Sequence, residues 1–475
     1  MNNIRRALFF LLCTVMAAFL TGCAPRELEL RPITGHTFSA LHTPPDEPTY
    51  GPLDAQNDEQ RFRILTSRWH DRLRARGVPG GAIAVVLDGK LRFSAGVGVR
   101  RVDQNAPVTA TTRFRVASVS KMVVAATVLS LAESGRFELD GPLRAIVPDF
   151  SAPPRSEADI GAVTIASLMT HTAAIPDLAC LDPTEPLDKS VRNWASWPFW
   201  GPPGKFHNYS NFGYTLLATA IERVEHEDFR DVIGRRIFIP AGMTTASYVV
   251  NERDGDVAAG HVAGRVIWEA PADCEASQAA GGVVASAVDF AHFAEVLLGG
   301  GGKLLTKTSV DAMLRGRVLI DEPPRRTYGF GIVEFERAGM RVLEHGGFAA
   351  GFATLVRLVP ERGFAVIAFV NAAAPIPTAV ADAAMSSFLG VRPEKPLRER
   401  PSPGTFGGYA GLWEDTAGAL GKFVIVAKND HLIVRAVGDD PLPRGLTGTF
   451  VLDSKGRAEY FVTRVGVARR VANRE

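Results

Sequence analysis

Three short stretches carry side chains that could do chemistry together. The first, FRVASVSKMVVAATVLSLAESG from Phe114 to Gly135, opens an apolar helical pattern near Ser118 and places a lysine, Lys121, in its first turn. A helix N-terminus carries partial positive charge, so a cation there is misplaced for stability. Three residues apart, the two side chains share one helix face. Crowding by the helix dipole and by apolar neighbours favours a neutral lysine, and a neutral amine can take the proton of a nearby hydroxyl. The second stretch, PGKFHNYSNFGYTLLATAIERV, sets Tyr209 and Asn211 where a loop meets an amphipathic helix. A phenol there can share or relay a proton, and an amide can hold a substrate carbonyl. The third, LEHGGFAAGF, leads from a strand into His345-Gly346-Gly347, where two glycines let a substrate backbone approach closely. Singly, each has a structural reading: Ser118 and Asn211 as helix caps, Lys121 reaching outward, Tyr209 as a packed aromatic, His345 as an internally satisfied histidine.

The elements that must position these groups follow from periodicity. Residues 61–77 place Phe62, Leu65, Trp69 and Leu73 on one helical face before a stopping glycine. Two β-rich runs flank Asp88-Gly89, a hairpin signal, and ATLVRLVPERGFAVIAFVN repeats the device around Pro360 to Gly363. Strands thus lie at both ends of a region whose middle is helical, at 118–134, 211–225 and 289–298, the last introduced by the capping signal Ser286-x-x-Asp289. The fold class is α+β: an antiparallel sheet flanked by helices plus a mostly helical region, within residues 61–395. After the Pro-rich RPEKPLRERPSPG, residues 404–475 alternate as β segments around Asn429-Asp430 and Lys455-Gly456, a small all-β module without a nucleophile of its own and read as a packing appendage. With 46% hydrophobic residues the 475-residue chain is globular, and 53 basic against 51 acidic residues, with no basic stripe interleaved with aromatics, argue against nucleic acid as a partner.

In this order, Ser-x-x-Lys, Tyr-x-Asn and His-x-Gly resemble the set that marks the serine penicillin-recognising hydrolases. YSNFGYTLLATAIE is similar to the branch related to class C β-lactamases, which also holds D-alanyl-D-alanine carboxypeptidases, D-aminopeptidases and carboxylesterases. FRVASVSK, LMTHTAAIP (Leu168 to Pro176) and AAGGVVASAVDFAHF (Ala279 to Phe293) agree, so the likeness covers residues 60 to 390 or so. It implies a β-lactamase/transpeptidase-like fold and acyl transfer without a metal or organic cofactor. Residue by residue it implies Ser118 as nucleophile, Lys121 as its proton partner, Tyr209 as general base and acid, and Asn211 as a substrate-positioning amide. Backbone N–H groups of Ser118 and Phe348, the latter following His345-Gly346-Gly347, would form the oxyanion hole. The sequence departs from the family at His345, where β-lactamases usually carry lysine for the substrate carboxylate. It departs again at HTAAIPD, which lacks the usual Ser-Gly, and at His207, near a position where an aromatic is common. The histidine at 345 favours an esterase or D-amino-acid peptidase over a β-lactamase, while HTAAIPD bears on the shape of the adjoining loop. The rival reading is a catalytically silent envelope protein that binds muropeptides or a protein partner.

The first 23 residues read as an export address: Arg5 and Arg6 precede an apolar run, Ala7 to Phe19, too short to span a bilayer comfortably. It ends in Leu20 to Cys23, which resembles a bacterial lipoprotein box and implies acylation of Cys23 and anchoring in the cell envelope, facing the periplasm from the outer membrane. Residues 24–60, rich in Pro, Thr and Glu, read as a tether. An oxidising compartment permits a bond between Cys180 and Cys274, but two free thiols fit equally well. His171, Cys180 and Asp182 match no standard metal-ligand spacing.

Overall fold

The computed structural model describes residues 26–34, 37–39, 57–150, 160–177, 186–194, 199–250, 255–267, 275–321, 325–349, 351–391, 405–415, 420–437, 442–443, 446–463 and 466–471. Cys23 with its box, Cys180, Asp182 and Cys274 lie outside the described residues.

Two strands, β1 (Glu27–Thr34) and β2 (Thr37–Ser39), come first and have their other partners at the far end of the chain. Helix α1 (Asp58–Ala75) follows, with Asn57 accepting the Gln60 N–H at its start and Leu65, Trp69 and Leu73 buried along one face. β3 (Gly80–Leu87) and β4 (Lys90–Arg101) form the first expected hairpin. Asp88 and Gly89 both adopt left-handed backbone there (φ 52° and 68°), as a two-residue turn matched to strand twist requires. After the short β5 (Ala106–Pro107) the chain leaves the sheet for α2 (Ser120–Glu133), α3 (Asn211–Glu225), α4 (Glu275–Gly281) and α5 (Ala287–Leu298). The predicted capping box is present: Ser286 and Asp289 exchange side-chain and backbone bonds at the start of α5.

The chain then returns through β6 (Val318–Asp321), β7 (Arg326–Tyr328), β8 (Val333–Arg337), β9 (Met340–Ala349), β10 (Phe352–Val359) and β11 (Phe364–Val370), and α6 (Ile376–Leu389) closes the domain. The nine strands form one antiparallel sheet in the order β6-β7-β8-β9-β10-β11-β3-β4-β5, so both chain ends meet where Ala365 pairs with Val86. Each sheet face carries its own core. Ala84, Val86, Val356 and Phe369 pack with Met122, Leu216 and Phe290 of the helices on one face; Val85, Val366 and Leu355 pack with Trp69, Val380 and Met385 of α1 and α6 on the other. Fully burying each large apolar side chain contributes roughly 1.5–3 kcal/mol. Arg357, 1% exposed in the second core, is held by Glu344 at 2.7 Å and by Asp382, so its buried charge is paired.

The last strands, β12 (Gly411–Asp415), β13 (Lys422–Ala427), β14 (Leu432–Val437), β15 (Thr447–Leu452), β16 (Ala458–Thr463) and β17 (Val467–Arg470), do not close on themselves. They form a closed barrel only with the N-terminal pair, in the order β1-β14-β13-β12-β17-β16-β15-β2. The reading of residues 24–60 as a tether is therefore corrected: Glu27–Thr34 and Thr37–Ser39 are barrel strands, and α1 has begun by Asp58. The signal was present in ELEL, whose alternation is that of a half-buried strand and whose Leu30 is fully buried. Phe423, Phe450, Phe461 and Trp413 fill the barrel. Its outer face meets the main domain where Tyr460 lies 5.2 Å from the Phe206 ring and Glu459 pairs with Lys205 at 3.3 Å.

Candidate active site

Ser118 sits on a turn that the sheet and α2 hold from two sides. Ala117 takes left-handed backbone (φ 49°), which an alanine avoids unless its surroundings impose it. They do: Val116 N–H donates to Val283 O (2.9 Å), Thr354 Oγ1 donates to Val116 O (2.7 Å), and Ser120 Oγ donates to Ala117 O (2.7 Å) while accepting the Val283 N–H (3.1 Å). A 3₁₀ turn, Ala117–Val119, then leads into α2, which starts two residues later than the expected 118. Gly347 on β9 presses against this turn so closely that a Cβ there would stand 2.2 Å from Val116 O. The packing requires glycine, and it brings the backbone leading to Phe348 beside Ser118.

Four of the expected residues converge. Tyr209 Oη lies 2.8 Å from Ser118 Oγ, and Lys121 Nζ lies 3.2 Å from the same oxygen. Lys121, 0% exposed, also donates to Asn211 Oδ1 (2.7 Å) and to Ala280 O (2.8 Å), and its amine lies 4.8 Å from the centre of the Tyr209 ring. Asn211 is the first residue of α3 and not its cap, since Ser210 caps the helix by accepting the Gly213 N–H. The Asn211 N–H is free to face Asp177, whose carboxylate accepts it at 2.9 Å. Asn211 Oδ1 is thus committed to the lysine, which turns its amide nitrogen the other way.

The loop bearing Tyr209 is laced to LMTHTAAIP. Trp200, Gly204 and Asn208 donate backbone N–H groups to Ala174 O, Thr172 O and His171 O at 2.8, 2.7 and 2.7 Å. His171 and Ala174 take left-handed backbone (φ 58° and 54°), so the missing Ser-Gly of this segment is accommodated by strain. The His171 ring packs 4.3 Å from the Tyr209 ring and accepts the Ser210 N–H on Nδ1 (3.2 Å), which places the proton of its neutral form on Nε2. His207 stands edge-on to His171 at 5.7 Å, and burial, with the nearby Arg326 charge, pushes its pKa down to about 4.

His345 is placed differently from a substrate-facing cation. Its ring is 5% exposed and turned inward: Nδ1 donates to Gly346 O (2.8 Å), which leaves Nε2 to accept from the Tyr328 hydroxyl (2.9 Å). Burial first, and then the Lys121 ammonium, push its pKa down to about 3, so the imidazole is neutral at neutral pH. Gly346 and Phe348 face outward on the same strand. β8 stops pairing at Val333 opposite Glu344, so His345–Ala349 present one backbone edge beyond the end of β8. Tyr328, Asp177 and Ala280 were not among the expected site residues; the last two lie in or next to segments flagged for the resemblance, whereas Tyr328 had only the RTYGFG run to mark it. Among the described residues no group of three His, Cys, Asp or Glu side chains is arranged to hold a metal ion, and no helix is long and apolar enough to cross a membrane.

A two-part α+β domain with Ser, Lys and Tyr meeting between sheet and helices is the architecture of the serine penicillin-recognising class. Residues 65–386 match the family Beta-lactamase, and the chain belongs to it. That family is typically one of serine hydrolases acting through an acyl-enzyme. Among curated relatives, penicillin-binding protein 4 of Amycolatopsis lactamdurans is 26% identical over 67% of this chain and 86% of its own length. Protein flp of Staphylococcus aureus (strain MRSA252) is 24% identical over 66% of this chain, which spans only 63% of that relative's length. Two solved structures share the fold: the octameric penicillin-binding protein homologue from Pyrococcus abyssi (TM-score 0.64, 23% identity, 86% of this chain and 99% of that one) and SurE (TM-score 0.68, 21% identity, 87% and 100%).

Proposed function

We propose that the protein hydrolyses an ester or amide through a covalent intermediate on Ser118. The observation that carries this reading is the convergence on one oxygen: Ser118 Oγ has the Tyr209 phenol at 2.8 Å and the Lys121 amine at 3.2 Å, drawn from segments some ninety residues apart. In the reaction the Ser118 oxygen attacks the carbonyl carbon and its proton passes to Tyr209, which acts as a phenolate held by the Lys121 ammonium beside it. The oxyanion forms against the N–H groups of Ser118 and Phe348, each worth roughly 3 kcal/mol when preorganised. Collapse expels the leaving group, which takes the proton from Tyr209; water then repeats the sequence and frees Ser118. Asn211, oriented by Lys121, offers its amide nitrogen to the substrate carbonyl.

Esters and D-amino-acid amides rank ahead of β-lactams, because His345 supplies no cation for a carboxylate. The penicillin-binding relative, and a SurE structure that contains D-Leu, support a peptide-like acyl donor. Labelling with a fluorophosphonate tests the reading: wild type should gain one adduct by intact mass and Ser118→Ala none. An unlabelled wild type, or equal labelling of the variant, would favour the silent binding protein. The Leu20–Cys23 box further supports a lipid anchor in the cell envelope. An alkyne palmitate fed to expressing cells should label the protein and not its Cys23→Ser variant; equal labelling of the two would end that proposal.

A further inference from the structure

The substrate-facing edge of β9 is chemically bare. Gly346 and Gly347 offer no side-chain hydroxyl, and His345 is turned inward with both ring nitrogens engaged by Gly346 O and Tyr328. Val333, the last β8 residue before the open edge, is apolar, and so are Phe330 and Ile332, which precede it. Glu344, the next residue back along β9, is bound to Arg357 in the opposite core. The lysine inside the cleft presents nothing either: an ammonium has three N–H donors, and those of Lys121 are met by Ser118 Oγ, Asn211 Oδ1 and Ala280 O. Arg326 belongs to the row of Phe335 and Val342, five residues along the strand direction from Gly347, on the order of 16 Å at about 3.3 Å per residue.

Resting on the acyl-enzyme reading above, we infer that this cleft selects acyl donors whose leaving group is uncharged, and that it discriminates against a carboxylate next to the scissile bond. A carboxylate laid along His345–Ala349 would leave water for a stretch whose own side chains, an inward-turned histidine, two glycines, a phenylalanine and an alanine, supply neither a cation nor a hydroxyl. Partial desolvation of a charge without a cation or hydroxyl partner is unfavourable. A neutral amide or ester in the same place loses little and can still pair with the strand edge as an added β-strand does.

A matched pair of substrates tests this: the 3-carbamoylphenyl and 3-carboxyphenyl esters of one N-acylglycine, which differ only in leaving-group charge. The carbamoyl ester should show kcat/KM on the order of tenfold or more above the carboxylate ester. Gly346→Lys should narrow or reverse that ratio. Its glycine backbone is not left-handed, and a Cβ there would meet nothing nearer than 3.7 Å, so a cation can be added at the edge without a clash. Equal or faster turnover of the carboxylate ester by wild type overturns the inference while leaving the acyl-enzyme intact. If wild type turns over neither ester and takes up no fluorophosphonate, the acyl-enzyme reading falls and the inference with it.

Discussion

The cleft and the barrel handle backbone strain in opposite ways. Around the cleft, residues with a Cβ take left-handed backbone: Ala117 next to the nucleophile position, and His171 and Ala174 behind Tyr209. In the barrel, the described left-handed positions are all glycines, Gly411, Gly421 and Gly456. A side chain held left-handed costs about 1–3 kcal/mol, a glycine almost nothing. The cleft residues persist because other contacts over-determine them: Ala117 through Ser120 and the flanking Val116, His171 and Ala174 through the backbone N–H groups of Asn208 and Trp200. The described turns of the barrel take the relaxed solution. Such strain separates the cleft from the barrel, although turn residues of the main domain such as Asp88, Ala263 and Ala338 carry it too.

The largest test of that contrast separates chemistry from folding. Tyr209→Phe removes one oxygen from a ring that His171 still packs against, so thermal unfolding should be nearly unchanged while Ser118 acylation slows by roughly 10²- to 10⁴-fold. Wild-type rates in this variant would remove Tyr209 from the reaction. The converse holds in the barrel. Trp413 is fully buried against Phe450, with its indole N–H donated to Tyr409 O at 3.2 Å, and Trp413→Ala should destabilise by about 3–5 kcal/mol. Limited proteolysis should then cut the barrel first. Loss of acylation in step with that unfolding would show that the barrel, through Tyr460 and Glu459, holds the Lys205-Phe206 loop in its working shape.

The sequence is legible to different depths in the two regions. Hairpins at Asp88-Gly89 and Asn429-Asp430 and the capping box at Ser286 appear where their turn chemistry says, because those signals are local. Ser118, Lys121, Tyr209 and Asn211 were legible as a set, since three spaced motifs constrain one another. Barrel closure was not, because nothing local says that ELEL near the N-terminus pairs with Leu432–Arg435 some four hundred residues on. The inward turn of His345 was equally hidden: it depends on Tyr328, seventeen residues earlier, reaching its Nε2 across the sheet edge. Composition, which made residues 24–60 look like a tether, is weaker evidence than alternation over even four residues.

A smaller effect separates the cleft from the charged group formed by Glu222, Asp228, Arg230 and Glu275. Glu222 on α3 is pushed up to about 7, by burial first and then by Asp228 and Glu275, against the Phe229 N–H and Arg230, which favour its charged form. Its folded pKa exceeds the unfolded value of 4.5, so its contribution to stability is complete below pH 4.5 and is lost as pH rises through 7. Glu222→Gln mimics the protonated form. The variant should unfold a few degrees higher than wild type at pH 8.5 and together with it at pH 4, the partial exposure of the site keeping the gap small. A gap that grows as pH falls would reverse the sign and discard the burial account.

The smallest effects bear most directly on strain, because a pair of glycine exchanges should separate stability from rate. Ala117→Gly relieves the greater part of a left-handed penalty of about 1 kcal/mol, yet it removes a buried methyl worth about 0.8 kcal/mol. The two nearly cancel, so Tm should stay within about a degree. The turn nevertheless loses the Cβ that packs toward Gly347, and Ser118 acylation should slow several-fold. Gly456→Ala meets no atom within 4 Å, so the whole effect of its φ of 73° falls on stability. Tm should drop by about 2 °C, for a penalty near 1 kcal/mol, with acylation unchanged. If Ala117→Gly raised Tm clearly and left the rate alone, the strain beside Ser118 would be incidental, and cleft and barrel would differ only in which residues happened to occupy their turns.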